Sequence, residues 1–339
     1  MIGKACISSI KIPYRMVTRK RYHKLYFKWR ISMNKDLYGQ LCEIVGSDCV
    51  KLDESMKMHT TFKVGGNADY YVMPNSAEEI SRIIELCRKT GTDYYVLGRG
   101  SNLLVSDEGY RGVIIQIYRN MRQIELDGVT MRAQAGALLS EIAAKAAENS
   151  LTGLEFAAGI PGTVGGALVM NAGAYDGEMK DVVISAKLLT LEGDMIELSG
   201  EEMEFAYRSS LVEKKNYIVL EATMKLRHGD RQQILDRMKE LRQMRETKQP
   251  IQFPSAGSTF KRPEGHFAGK LIMDAGLRGF SIGGAQVSEK HCGFVINKGG
   301  ATAKDVIQLI KYIKKEVKSQ TGIELKAEVK LLGNFQEDK

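Results

Sequence analysis

Gly98-Arg99-Gly100-Ser101-Asn102, and further along Gly159-Ile160-Pro161-Gly162-Thr163-Val164-Gly165-Gly166, are the two segments on which the fold turns. The first offers successive backbone N–H groups with little side-chain obstruction, as a diphosphate held by main chain requires. Ser101 and Asn102 add side-chain donors. By itself it reads more readily as an ordinary glycine turn after a strand. It is no Rossmann fingerprint, because Leu103 stands where the third glycine would open a helix, and no P-loop, because Gly-Lys-Ser/Thr is missing. The second segment, with Asn171-Ala172-Gly173-Ala174-Tyr175 after it, allows backbone to approach a large flat ligand closely. Its plain alternative is a tight connection between subdomains. Two such loops on a strand-rich scaffold point to a dinucleotide cradle.

Around the first loop the pattern is strand, helix, strand: Ala68–Met73, a helix opened by Ser76 and Glu79 and stopped near Gly91, then Tyr94–Leu97, a compact βαβ unit. Strands continue over Val113–Ile117 and Gln123–Asp127, and a helix over Leu138–Glu148 leads into the second loop. Strands return between Val182 and Arg227, interrupted over Gly200–Ser210. One helix from Asp230 to Gln249 is stopped by Pro250, another is opened by Thr302 and Asp305, and a last strand closes the chain. The expected organisation is a basic extension over 1–33, an N-terminal segment over 34–61, a domain over 62–228 that carries both glycine loops and splits near 118, and a C-terminal domain over 229–339.

A chain of 339 residues with 43% hydrophobic and 27% charged residues has room for two or three packed domains. Its net charge of +8 is confined to one end: residues 1–33 hold nine Lys or Arg and no acid, leaving 40 bases against 41 acids in the rest. That distribution argues against nucleic acid as a partner of the body, and the arm reads as a disordered extension or as translation upstream of a start at Met33. No apolar run approaches membrane length and no signal peptide is evident, so the expected location is cytoplasmic, with no membrane partner. Five cysteines without a CxxC pair and five histidines without i, i+4 spacing predict no disulfide scaffold and no metal. No obligate protein partner is implied.

Gly98-Arg99-Gly100-Ser101-Asn102-Leu103-Leu104, then Gly159-Ile160-Pro161-Gly162 and Asn171-Ala172-Gly173-Ala174, resemble the FAD-binding half of the UDP-N-acetylenolpyruvoylglucosamine reductases. Phe205-Ala206-Tyr207-Arg208-Ser209-Ser210, Ser255 to Pro263, and Leu325-Lys326-Ala327-Glu328-Val329 resemble that family's three catalytic segments in order. The resemblance spans residues 58–333. It implies an α+β chain: a PCMH-type FAD-binding fold of two α/β subdomains, then a smaller α+β substrate domain. Arg262 stands where some members carry Asn, which points to the shorter subclass.

The implied activity, in peptidoglycan precursor synthesis, is NADPH-dependent reduction of the enolpyruvyl ether of UDP-N-acetylglucosamine to UDP-N-acetylmuramate through FAD. Arg208 is then the group polarising the substrate carboxylate, Ser258 the proton donor and Glu328 the carboxyl that helps stabilise the enolate. Cofactor contacts fall on Gly98 through Leu103, on Ala158 through Thr163, and on Gly165, Gly166, Asn171, Gly173 and Ala174; Tyr207, Lys261 and Arg262 fall to the substrate. Read from pattern alone, Glu328 sits on a solvated strand face opposite Leu325, Ala327 and Val329, Arg208 is a surface ion-pair residue and Ser258 a turn residue. His291 and Cys292 lie outside the FAD loops, so the flavin is expected to be non-covalent. The alternative is an oxidase of the same flavoprotein superfamily acting on an alcohol or lactone.

Overall fold

The computed structural model describes residues 36–335; the expectation of a disordered arm over 1–33 lies outside them. The chain divides after Gln40. Of the first unit only the helical residues 36–40 are described, and the architecture below is that of the unit from Leu41 onward. Among the described residues no helix is long and apolar enough to cross a membrane.

Four strands make the first sheet, in the order Val50–Ser55, Asn67–Val72, Tyr110–Gln116, Tyr94–Leu97. The last three are parallel, and Val50–Ser55, from the N-terminal segment over 34–61, adds an antiparallel edge. The βαβ unit is therefore split, with Tyr110–Gln116 inserted between its two strands. The reason lies in the inserted sequence. Val113-Ile114-Ile115 is fully buried, and an unbroken apolar run of this kind suits a central parallel strand covered on both faces.

Helix Ala77–Thr90 starts where Ser76 Oγ accepts the Glu79 N–H at 3.2 Å and ends on Gly91 in the left-handed region. The returning half of the expected capping box goes elsewhere: Glu79 Oε2 accepts from the Asn75 N–H at 2.7 Å.

The second sheet is antiparallel throughout, ordered Met195–Ser199, Val183–Leu189, Ile218–Lys225, Thr130–Gln134, Ile124–Asp127. Helix Leu139–Glu148 precedes the second glycine-rich loop, which opens the short helix Val164–Val169. There Thr163, fully buried, caps by accepting from Gly166, and the N–H groups of Val164 and Gly165 bond the carbonyls of Ala137 and Ala135. The loop is thus pinned to the second sheet.

Helix Arg231–Lys248 is capped by Asp230 and runs out before Pro250. Beyond it, a three-stranded sheet of Ser281–Ile282, Ala285–Val287 and Val295–Asn297 packs with helices Ala268–Asp274 and Ala303–Thr321. Thr302 and Asp305 form the full capping box of the long helix, worth roughly 1 kcal/mol.

This C-terminal region is not self-contained. Its core takes in Phe62, Val64 and Leu104, and Asp107 accepts from the Ala303 and Lys304 N–H groups at 2.8 Å each. Lys330–Leu332 pairs in parallel with Leu103–Val105, the strand leaving the first glycine loop. Only Lys330–Leu332 is regular strand; before it, Ala327 makes a single bridge to Phe260. The expected alternation fails there. Leu325 and Val329 are buried, but Ala327 and Leu331 are exposed, and the Glu328 side chain is only 12% exposed.

Candidate active site

Strand Leu103–Val105 begins where Gly98–Asn102 ends, and its pairing with Lys330–Leu332 brings the C-terminal segment to the first loop. Both border a cavity of about 900 Å³, a size suited to a large ligand. All of Gly98 through Leu103 line it, with Ile160 through Thr163, Gly165, Gly166, Gly173 and Ala174 from the second loop region. Ala158, Gly159 and Asn171 do not. The Asn171 amide is held within the protein: its Nδ2 donates to Glu178 Oε2 at 2.8 Å and to the Ala206 carbonyl at 3.2 Å, and its Oδ1 accepts from the Lys180 N–H at 3.0 Å. Gly159 lies against the Arg245 side chain.

Arg208, Ser258 and Glu328 reach the same cavity from three separate segments. Arg208 sits in a two-residue turn, because Ala206 and Ser209 exchange both backbone hydrogen bonds around it, and it holds a left-handed φ of 51°. Such a conformation costs a non-glycine residue about 1–2 kcal/mol and is characteristic of sites where a side chain must be aimed. The Arg208 guanidinium donates from Nε to Glu328 Oε1 at 2.9 Å and from a terminal nitrogen to the Gly173 carbonyl at 3.2 Å. Burial raises the Glu328 carboxyl above its ordinary value, against the opposing pull of Arg208, Lys261 and Lys330. Ser258 is exposed, next to Thr259, which is fully buried and accepts from the Val295 N–H on Oγ1 at 2.9 Å.

Tyr207, Lys261 and Arg262 are near the catalytic trio without lining the cavity. Lys261 Nζ is 3.5 Å from the Arg208 carbonyl. The Arg262 backbone N–H donates to the Tyr207 hydroxyl at 3.2 Å, and its guanidinium lies over the Phe267 ring at 3.9 Å. Tyr207 and Phe267 are both exposed. His291 accepts the Gly293 N–H on Nδ1 at 3.0 Å, and neither it nor Cys292 lines the cavity.

Two features of the site escaped the sequence. Arg245 lines the cavity with Tyr175 and Gln249. Burial lowers its pKa and only Tyr175 acts in the opposite direction, so a desolvated cation stands there without a carboxylate partner among the described residues. A signal existed: Arg245 continues the Ile234 and Leu241 face, the buried side of its helix, where a charge needs a reason.

The second is Glu54–His59–Tyr71, set behind the first loop. His59 Nε2 is 2.8 Å from Glu54 Oε1, and the Tyr71 hydroxyl is 2.8 Å from Nδ1. Burial lowers the His59 pKa while Glu54 raises it, so the neutral ring donates to Glu54 and accepts from Tyr71.

A flavin dinucleotide fits these residues on two observations. The α carbon of Gly100 lies so close to the His59 carbonyl that a Cβ would stand 2.0 Å from the oxygen, which leaves bare backbone on a wall of the cavity. The Asn102 Oδ1 is buried with no donor, as a group meant for a ligand hydroxyl or N–H would be.

Comparison with known proteins agrees with this geometry. Residues 68–199 match the family described as FAD binding domain, and residues 249–332 match the UDP-N-acetylenolpyruvoylglucosamine reductase C-terminal domain. The UDP-N-acetylenolpyruvoylglucosamine reductase of Lachnoclostridium phytofermentans is 51% identical over 89% of this chain and 98% of its own length.

The chain belongs to the UDP-N-acetylenolpyruvoylglucosamine reductase family.

The reductase of Clostridioides difficile is 50% identical over 88% of this chain and 99% of its own. Among solved structures, the Thermus caldophilus reductase superposes with a TM-score of 0.72 at 35% identity, covering 84% of this chain and 98% of that one. The PCMH-type flavoprotein fold and the use of FAD follow from membership in this reductase family.

Proposed function

We propose that this chain reduces UDP-N-acetyl-3-O-(1-carboxyvinyl)-glucosamine to UDP-N-acetylmuramate with NADPH and non-covalent FAD, in peptidoglycan precursor synthesis. The observation that carries the reading is the meeting of Ser258, Arg208 and Glu328 at one cavity that both glycine-rich loops also line. FAD bound there supplies hydride transfer from NADPH to the substrate alkene. What remains for the side chains is charge and a proton.

Reduction of the alkene develops negative charge on the carbon beside the substrate carboxylate. Arg208, permanently charged and aimed by its strained turn, holds that carboxylate as the charge spreads into it. Glu328 acts in its protonated form, which burial favours, because an ionised carboxylate at that place would oppose the charge being formed. Ser258 delivers the proton to the carbon, an act within reach of a hydroxyl when the acceptor is a strong base. Arg245 meets a phosphoryl oxygen of the nucleotide, a ligand chemistry that suits a half-buried guanidinium with no acid beside it. Tyr207, Lys261 and Arg262, beside the catalytic trio, meet the acidic UDP moiety. NADPH as donor puts the reaction in the cytoplasm.

The purified protein should be yellow. Under anaerobic conditions NADPH should bleach it, and colour should return only when the enolpyruvyl substrate is added. Rapid return of colour with air alone, and none with that substrate, would identify an oxidase instead.

A further inference from the structure

Asn102 stands at the end of the first glycine-rich loop, and its side-chain amide donor and its backbone carbonyl both reach the C-terminal segment. Its Nδ2 donates to the backbone carbonyl of Glu328 at 3.1 Å, across 226 residues of sequence, and also lies 3.0 Å from Met170 Sδ. Its own carbonyl accepts from the Lys330 N–H at 3.1 Å. Asn102 therefore grips the segment on both sides of Val329, just where the parallel ladder with Leu103–Val105 begins. The Glu328 N–H, in turn, donates to the Thr259 carbonyl at 2.8 Å. The peptide of Glu328 is thus fixed from one side by the first glycine loop and from the other by the residue next to Ser258. Its remaining freedom is side-chain rotation, and Arg208 limits that.

This grip matters because Glu328 lies outside regular strand. The segment before Lys330 has a single bridge at Ala327, whose backbone bonds hold the Glu328 N–H but leave its carbonyl without a strand partner. A carboxyl group must be held within about half an ångström of its working place, and here the Asn102 side chain holds the one backbone group of Glu328 that strand pairing leaves over.

We infer that Asn102 is a positioning residue for Glu328, joining the first glycine-rich loop to the carboxyl group by its Nδ2 bond to the Glu328 carbonyl. The inference rests on Glu328 having the catalytic role proposed above.

A double-mutant cycle on flavin-loaded protein tests it, with Asn102→Ala, Glu328→Gln and the pair. In wild-type background, Asn102→Ala should slow flavin reoxidation by the enolpyruvyl substrate at least ~10-fold more than it slows flavin reduction by NADPH; in the Glu328→Gln background that excess should fall below ~2-fold, the mark of two residues acting as a unit. If Asn102→Ala fails to retain flavin, the cycle is run with Asn102→Asp, which keeps size and an acceptor and exchanges the amide donor for a carboxylate.

Amide hydrogen exchange supplies a readout apart from turnover: the peptide 325–332 should exchange at least ~5-fold faster in either Asn102 variant. Effects that multiply in the cycle, or exchange that does not change, would overturn the inference and leave Glu328 in its proposed role without Asn102. A Glu328→Gln enzyme that reoxidises at the wild-type rate would instead remove the carboxyl group from the mechanism, and the inference with it.

Discussion

Two glycine-containing loops border the cavity, and they use glycine for opposite reasons. At Gly100 the reason is space: beyond its φ of 67°, a Cβ would stand 2.0 Å from the His59 carbonyl oxygen and 3.1 Å from the Thr60 Cα. At Gly257, beside Ser258, the reason is conformation alone: φ is 75° and nothing lies within 4 Å of where a Cβ would be. The flavin-side loop is locked against a wall that is itself anchored, since His59 is held by Glu54 and Tyr71. The loop carrying the proposed proton donor turns in open space. Cofactor binding thus relies on packed backbone, and proton delivery on a turn with room to adjust.

The largest expected effect comes from breaking the locked side. Gly100→Ala has no means of relief, because the atom it meets is backbone, so the protein should purify without flavin or fail to fold. Absorbance of bound flavin and thermal melting measure this. Near-normal flavin content would mean that His59 can retreat and that the wall is soft.

Gly257→Ala should be milder. With no clash, only the left-handed conformation is penalised, by about 1–2 kcal/mol. Flavin should be retained, NADPH should still reduce it, and the oxidative half-reaction should slow by roughly the 10-fold that such a penalty corresponds to. A loss of flavin equal to that of Gly100→Ala would erase the distinction between the loops.

The smallest effect concerns pH. Burial raises the Glu328 pKa above its ordinary 4.5. A carboxyl raised in the folded state contributes stability that is fully present below the unfolded value and is lost as pH rises through the folded value. Glu328→Gln should therefore gain in melting temperature relative to wild type as pH rises above 4.5, and the gap should level off once the wild-type carboxyl is ionised. A gap independent of pH would show that Glu328 is not raised.

Much of this molecule could be read from short-range pattern. Ser76, Asp230 and Thr302 each cap the helix they announce, and Gly91 ends the first one. The glycine loops were visible because glycine marks places where backbone must come close. What stayed hidden was set by pairing at long range. The strand inserted into the βαβ unit follows from the apolar run at Val113, yet its neighbours are chosen by tertiary packing.

Glu328 reads as solvated because alternation assumes a continuous ladder, and the ladder starts only at Lys330. Its tie to Asn102 spans 226 residues, and no local rule reports such a bond. Asn171 illustrates the converse: its place in a glycine-rich run suggested a ligand contact, while its amide serves the protein's own turns. Ser258, Arg208 and Glu328 were nameable only through the family resemblance, since each has an ordinary reading in isolation.

The central claim is that the residues at this cavity divide the reaction, with flavin binding on the loops and proton delivery on Ser258. Ser258→Ala tests it most directly by anaerobic stopped-flow of each half-reaction. Flavin reduction by NADPH should stay close to wild type, and reoxidation by the enolpyruvyl substrate should slow by at least the ~100-fold typical of a lost general acid. Equal slowing of both halves, or of neither, would contradict the account and make Ser258 a structural member of its turn.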